Sequence, residues 1–187
     1  SVSDVFDEGP VLFTGRNLDV AVQGRGWLAV QLPDGTEAYT RAGSFDVDVN
    51  GVLQTKSGYP VLGDGGPLNI PPDNSIEIAP DGTISVVPTF GARNSSSAVG
   101  RLKLVNPPET DLVRGADGLF RLRSGQPAAA DQNVKVSPGS LEGSNVNVTD
   151  AMVNLISLSR QFEMQIKMLQ TADTNAQRAD QLLSLNA

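Results

Sequence analysis

Apolar and polar positions along this chain follow two rhythms, and the rhythm changes near residue 140. Before that point, short apolar runs are cut every few residues by Gly, Pro, Asn or Asp. Phe45, Val47 and Val49 alternate with Asp46 and Asp48, a period of two that puts apolar side chains on one strand face and carboxylates on the other. Trp27-Leu28-Ala29-Val30 and residues 37–41 flank Pro33-Asp34-Gly35 and predict a hairpin. Residues 76–79 and 83–87 flank Pro80-Asp81-Gly82 and predict another built on the same turn chemistry. Asn50-Gly51, followed by a returning run at 52–55, predicts a two-residue turn with positive φ at both positions. Further strands are expected at 18–22, at 101–105 before Asn106-Pro107-Pro108, and at 119–123 after Asp117-Gly118. Residues 63–67, 91–97 and 125–133 read as loops.

After Gly143 neither Gly nor Pro occurs. Asn147, Thr149 and Asp150 offer cap and first-turn groups for a helix over residues 149–185, about 55 Å long at 1.5 Å per residue. Val148, Leu155, Phe162, Leu169, Ala176 and Leu183 share one seven-residue series. Ala151, Leu158, Gln165, Ala172 and Ala179 share a second. Met152 and Ile166 widen the stripe, while Asp173 and Asp180 narrow it. A heptad stripe on so long an element calls for a partner helix. The expected seam is Met152, Leu155, Leu158, Phe162, Ile166, Leu169, Ala176 and Leu183. The fold class predicted is mainly β: an antiparallel, hairpin-rich β domain followed by one long C-terminal α-helix. The expected division is a lead-in at 1–13, a β domain at 14–137, a junction at 138–148 and the helix at 149–187.

Composition changes this picture mainly by exclusion. The chain has 187 residues, a net charge of −7, and neither Cys nor His. That removes thiolate chemistry, disulfides and the commonest general base and metal ligand. An acidic surface argues against nucleic acid and anionic membrane faces as partners. No run approaches the roughly 20 apolar residues of a membrane span, and the acidic start, with Asp4, Asp7 and Glu8, is not expected to be a Sec signal peptide.

Several motifs have bland readings that outweigh the chemical ones. Residues 46–51 copy the start of an EF-hand loop, but Ser57 stands where the bidentate Glu belongs, and the flanks read as strands. Gly24-Arg25-Gly26 lacks the third Gly of a dinucleotide fingerprint and leads into a strand. Gly63-Asp64-Gly65-Gly66 has no P-loop Lys after it and reads as a turn. The single Trp, Trp27, is expected in the core. The scattered carboxylates leave a glycosidase pair open in principle, but most lie beside turn glycines or on alternating strand faces, where a solvated role suffices.

Three runs carry a family resemblance. Thr14-Gly15-Arg16-Asn17-Leu18-Asp19-Val20-Ala21-Val22-Gln23-Gly24-Arg25-Gly26-Trp27 resembles the start of the β domain in flagellar rod and hook proteins. Tyr39-Thr40-Arg41-Ala42-Gly43-Ser44-Phe45 with Asn50-Gly51-Val52-Leu53 is similar to the next family block. Leu141-Glu142-Gly143-Ser144-Asn145-Val146-Asn147 is similar to the hallmark that opens the family's C-terminal helix. Gly26-Trp27-Leu28, residues 99–106 and residues 170–178 favour the proximal-rod branch over the distal-rod branch.

The resemblance implies a structural subunit of the bacterial flagellum, exported by the flagellar type III apparatus and assembled in the periplasmic basal-body rod. Its partners are other rod subunits and itself. It implies no catalytic residue, no cofactor or metal, no small-molecule substrate and no membrane insertion. It also implies an N-terminal family helix, absent from these residues, that pairs with the C-terminal one. Leu141, Glu142, Gly143, Ser144, Asn145 and Asn147 are the expected junction between β domain and helix. The rival reading is a stalked β binding module of a phage tail or adhesin.

Overall fold

A computed structural model describes residues 8–90, 95–143 and 148–185, with helix side chains from Met152 onward. It divides into two units, residues 1–145 and 146–187. The first is built of short antiparallel strands and the second of one helix, the fold class the two rhythms predict.

The strands of the first unit are β1 Val11–Phe13, β2 Val20–Gln23, β3 Trp27–Gln31, β4 Glu37–Thr40, β5 Phe45–Val47, β6 Leu53–Thr55, β7 Leu62–Gly63 and β8 Gly66–Pro67. They continue as β9 Asn74–Ile78, β10 Thr83–Pro88, β11 Ser97–Arg101, β12 Leu104–Val105, β13 Leu112–Arg114, β14 Phe120–Leu122, β15 Lys135–Pro138 and β16 Ser140–Glu142. A five-stranded sheet runs β12-β3-β4-β14-β13 and a three-stranded one β11-β10-β9. Four two-stranded ribbons pair β1 with β16, β2 with β15, β5 with β6, and β7 with β8.

One turn geometry recurs throughout. In the loops 32–36, 48–52, 55–59, 79–83 and 115–119, the first N–H donates to the fifth carbonyl, and the fourth N–H donates back to the first carbonyl. The fourth residue is always Gly (35, 51, 58, 82 or 118), with φ between 79° and 87°. Such a three-residue connection needs a left-handed residue at that point, where a Cβ is disfavoured. The two Pro-Asp-Gly turns are therefore the same turn, as their sequence implies. In them Asp34 and Asp81 accept the N–H and the hydroxyl of Thr36 and Thr83. The Thr36 hydroxyl, followed by its N–H, holds the Asp34 carboxyl below its ordinary range. For Asp81 the backbone N–H of Thr83 is the larger cause.

The turn at Asn50-Gly51 corrects the sequence expectation. Only Gly51 has positive φ there, because Asp48 Oδ1 accepts the N–H groups of Asn50 and Val52 and stretches the loop to the recurring form. The strand expected at 101–105 is two strands in different sheets. Leu102 N–H donates to Gly82 O and Lys103 N–H to Leu62 O, so the chain changes partners between them. The loop expected at 63–67 is a minimal hairpin of β7 and β8. Of the loop at 91–97, residues 91–94 lie outside the described ones, and strand β11 begins at Ser97.

The main core gathers Val20, Val22, Leu28, Phe45, Leu53, Ile84, Leu102 and Val136 from most of these strands. A second cluster centres on Trp27, Tyr39, Val105 and Leu112. Trp27 is buried as expected, its ring 4.6 Å from that of Phe120. Tyr39 Oη accepts the Ala128 N–H at 2.6 Å, and burial pushes the phenol's pKa up.

Phe45 is fully buried where β2, β5 and β6 meet. Phe45→Ala is expected to cost the first unit about 3–5 kcal/mol, read as a fall in the urea midpoint at unchanged slope.

Candidate assembly surfaces

The helix, α1, spans Val148–Leu185, 38 residues or about 57 Å. Every described side chain on it is exposed. The predicted seam residues Met152, Leu155, Leu158, Phe162, Ile166, Leu169, Ala176 and Leu183 fall within a stripe roughly 140° wide at 3.6 residues per turn. Their large members are 39% (Ile166) to 71% (Leu183) exposed. The sequence reading missed a second apolar track. Val153, Ile156, Met164, Met168, Leu182 and Leu185 are also exposed and lie on the opposite side of the helix wheel. Arg160, Lys167 and Arg178 line up within about 20° of one another and fall inside this second track. The hydroxyls of Thr171 and Thr174 donate to the carbonyls of Lys167 and Gln170, so neither adds an unsatisfied polar group to the surface.

The junction is a second surface. Of its expected residues, Ser144, Asn145 and Asn147 lie outside the described ones; Leu141, Glu142 and Gly143 do not. Strand β16 pairs with β1 in the register Val11↔Glu142, Leu12↔Leu141, Phe13↔Ser140. At the root of this ribbon a single carboxylate makes two ties. Glu142 Oε1 accepts the Gly9 N–H at 2.9 Å, and Oε2 accepts Arg41 Nε at 2.6 Å. Both members of the ion pair are largely buried, 19% exposed for Arg41 and 11% for Glu142. Arg41 also donates to the carbonyls of Gly24, Gly26 and Val22 and stands 6.0 Å over the Trp27 ring. A guanidinium that reaches a carboxylate and three carbonyls needs the fork geometry of Arg; Lys cannot make that set. The two chain segments come together so closely that a Cβ on Gly9 would sit 1.8 Å from Gly143 O.

The first sequence run is explained by a neighbouring network. Asp19, 3% exposed, accepts the Thr14 hydroxyl, Arg16 Nη1 and the Ser44 hydroxyl. Arg16 Nη2 reaches Phe45 O and Asp46. Gly139 N–H donates to Asp19 O, while the N–H groups of Thr14 and Gly15 donate to Gly139 O. The chain before β2 and the chain before β16 are thus stitched to each other and to β5. Arg41 and Arg16 stand inside the quoted runs, yet composition and spacing give no sign of their roles. Their acceptors lie up to 101 residues away.

Among the described residues neither surface holds a constellation suited to bond chemistry. Among the described residues no three His, Cys, Asp or Glu side chains are grouped to hold a metal ion, and no described helix is long and apolar enough to cross a membrane.

Residues 137–182 match the family model described as "Flagellar basal body rod FlgEFG protein C-terminal", and residues 21–86 match "Flagellar hook protein FlgE/F/G D1 domain". The chain is similar to the flagellar basal-body rod protein FlgF of Escherichia coli, with 47% identity over 95% of this chain and 73% of the relative. It is similar to FlgF of Salmonella typhimurium at 45% identity over the same shares. The basal-body rod protein FlgG of Bacillus subtilis is 37% identical over 86% of this chain and 63% of that protein. The two matched models contain the Glu142 and Arg41 sides of the junction tie, respectively.

Breaking a buried ion pair from one side leaves the other charge uncompensated, at about 3–5 kcal/mol. Glu142→Ala is expected to lower the urea midpoint of the first unit and to speed amide exchange at Gly9 and Gly143. The exchange effect should exceed any at β9 and β10, which make no contact with the tie.

Proposed function

The chain belongs to the flagellar basal-body rod family and is a structural subunit located at the flagellar basal-body rod; from that premise we propose that it builds the proximal rod by helix packing and transmits torque through it. The observation that carries the mechanism is the helix with large exposed apolar side chains from Met152 to Leu169 and again at Leu182, Leu183 and Leu185. Contiguous exposed apolar surface marks an interaction site. Burying each large side chain of the seam is worth about 1.5–3 kcal/mol, so a few helical turns suffice for stable packing against neighbouring helices.

Met152, Leu155, Leu158, Phe162, Ile166, Leu169, Ala176 and Leu183 form the first seam. The second track, from Val153 to Leu185, meets another neighbour on the opposite side. A helix apolar on two sides fits a tube wall, in which every helix is flanked twice, better than a two-stranded stalk with one seam. This distinguishes the rod from a stalked binding module.

The β domain at 14–137 sets contacts outside the helical tube, and the junction at 138–148 couples it to the helix. Leu141, Glu142 and Gly143, with Ser144, Asn145 and Asn147, form that junction. Its strength lies in the Glu142–Arg41 tie. Torque passes through many repeated weak contacts, so the work is mechanical rather than catalytic and requires no cofactor. The partners are other rod subunits and further copies of this chain, in the periplasmic part of the flagellum. Nucleic acid, small-molecule substrates and membrane insertion play no part, and export follows the flagellar type III route. The distal-rod assignment is the alternative within the family.

Phe162→Ala with Leu169→Ala, placed in the full-length protein, is expected to abolish motility and leave no assembled rod, while the melting of the β domain stays unchanged. Intact motility with both substitutions overturns the seam. Gln161→Ala, between the two tracks, is expected to leave rods assembled.

A further inference from the structure

The two apolar tracks of the helix differ in charge as well as in position. The cations of α1 are Arg160, Lys167 and Arg178, and all three lie among the apolar residues of the second track. Asp173 and Asp180 lie instead inside the first seam, within about 20° of each other and roughly 120–160° round the wheel from the cations. The one other carboxylate between residues 152 and 185 is Glu163, at the margin of the second track and about 40–60° from the cations. All six charged side chains are exposed, and among the described residues none of them forms an ion pair. The helix is therefore acidic on one apolar side and basic on the other.

The spacing of these charges is as specific as their sign. Asp173 and Asp180 are seven residues apart, and so are Arg160 and Lys167. When one copy of the helix lies parallel to another, a single offset sets both aspartates opposite cations: 13 residues, about 20 Å along the axis. That offset turns the wheel by about 220°, which carries the middle of the first seam onto the second track. It also sets Ile166 opposite Val153 and Leu169 opposite Ile156, so two apolar layers precede the two charged ones. Glu163 then faces Ala176 rather than another carboxylate. An antiparallel pairing can match the same charges crosswise, but it sets Ile166 and Leu169 opposite Thr174 and Thr171, whose hydroxyls already bond their own helix.

We infer that the acidic first seam of this helix packs on the basic second track of a second copy of this chain, parallel to it and displaced by 13 residues. Asp173 meets Arg160 and Asp180 meets Lys167, with Ile166 and Leu169 on Val153 and Ile156. Exposed pairs of this kind add little affinity, but opposite charges across an apolar contact select the partner and fix its register. The contact joins two different faces, so it is heterologous: each copy keeps a seam for one neighbour and a track for the next, and the contact repeats. The inference rests on the rod reading, which supplies helices that all point the same way. It adds to that reading the identity of the neighbour, its polarity and its register.

The chain has no Cys, so single thiols report without background. Leu169→Cys and Ile156→Cys, each in full-length protein with a different tag, are co-expressed, and isolated basal bodies are oxidised. The expected result is a doubly tagged, disulfide-linked dimer at least fivefold more abundant than either same-residue dimer. Dominant same-residue dimers, or no linkage in assembled rods, overturns the register and leaves the rod reading standing. Should the thiol variants yield no rods, a charge exchange decides it. Asp173→Lys with Asp180→Lys is expected to reduce motility at least tenfold, and adding Arg160→Glu with Lys167→Glu in the same chain to restore it to within threefold. Full motility of the first pair, or loss without restoration, overturns the contact. The rod reading falls on a different result, intact motility of Phe162→Ala with Leu169→Ala.

Discussion

The carboxylate of Glu142 is the point on which the rest of the junction depends. It lies at the end of β16, just before the chain runs toward the helix, and holds the Gly9 N–H with one oxygen and the Arg41 guanidinium with the other. Arg41 in turn closes on three carbonyls between Val22 and Gly26. An ion pair this buried adds little net stability over an apolar substitute, because desolvation offsets most of the attraction. What it does supply is geometry, since a paired charge tolerates one arrangement of donors and a greasy contact tolerates many. Under the proposed mechanical role, a fixed arrangement at this point is what the subunit needs. The network at Asp19 repeats the device beside it, fixing the chain before β2 to Gly139 and Ser44.

The helix has the opposite physics. Among its described residues the side-chain hydrogen bonds, from Thr171, Thr174 and Ser184, go to its own carbonyls, and its apolar residues occupy two sides, so little in its own sequence fixes a unique orientation. Isolated helices gain stability mainly from packing an apolar face. Here two faces are exposed, and in the proposed packing their order comes from neighbouring subunits. The division of labour is between a β domain specified internally and a helix specified by assembly.

Much of this was legible in the sequence where the determining chemistry is local. The Pro-Asp-Gly turns at 33–35 and 80–82 could be read because a left-handed Gly and an Asp acceptor lie within five residues. The alternation at Phe45, Val47 and Asp46 marked β5 for the same reason. The heptad series marked α1, and the family runs pointed to the rod. Most of what failed was non-local. Val11–Phe13 and Ser140–Glu142 are strands only because they pair with each other across the length of the β domain. Leu112–Arg114 and Lys135–Pro138 are equally short and defined by distant partners. The turn at Asn50 went wrong because Asp48, two residues earlier, captured its N–H. A count by sevens selects one face of a helix, which hid the track through Met164 and Leu182. Arg16 and Arg41 look like ordinary surface cations until their acceptors are placed.

The central claim is that the helix receives its ordering partners from the rod. Amide hydrogen exchange along residues 152–185, compared between the free full-length subunit and isolated basal bodies, tests it most directly. The account predicts that these amides exchange at least about 100-fold more slowly in the rod, on both apolar sides, while the core strands β3 and β10 change little. Equal protection in both states, or protection confined to the strands, contradicts it.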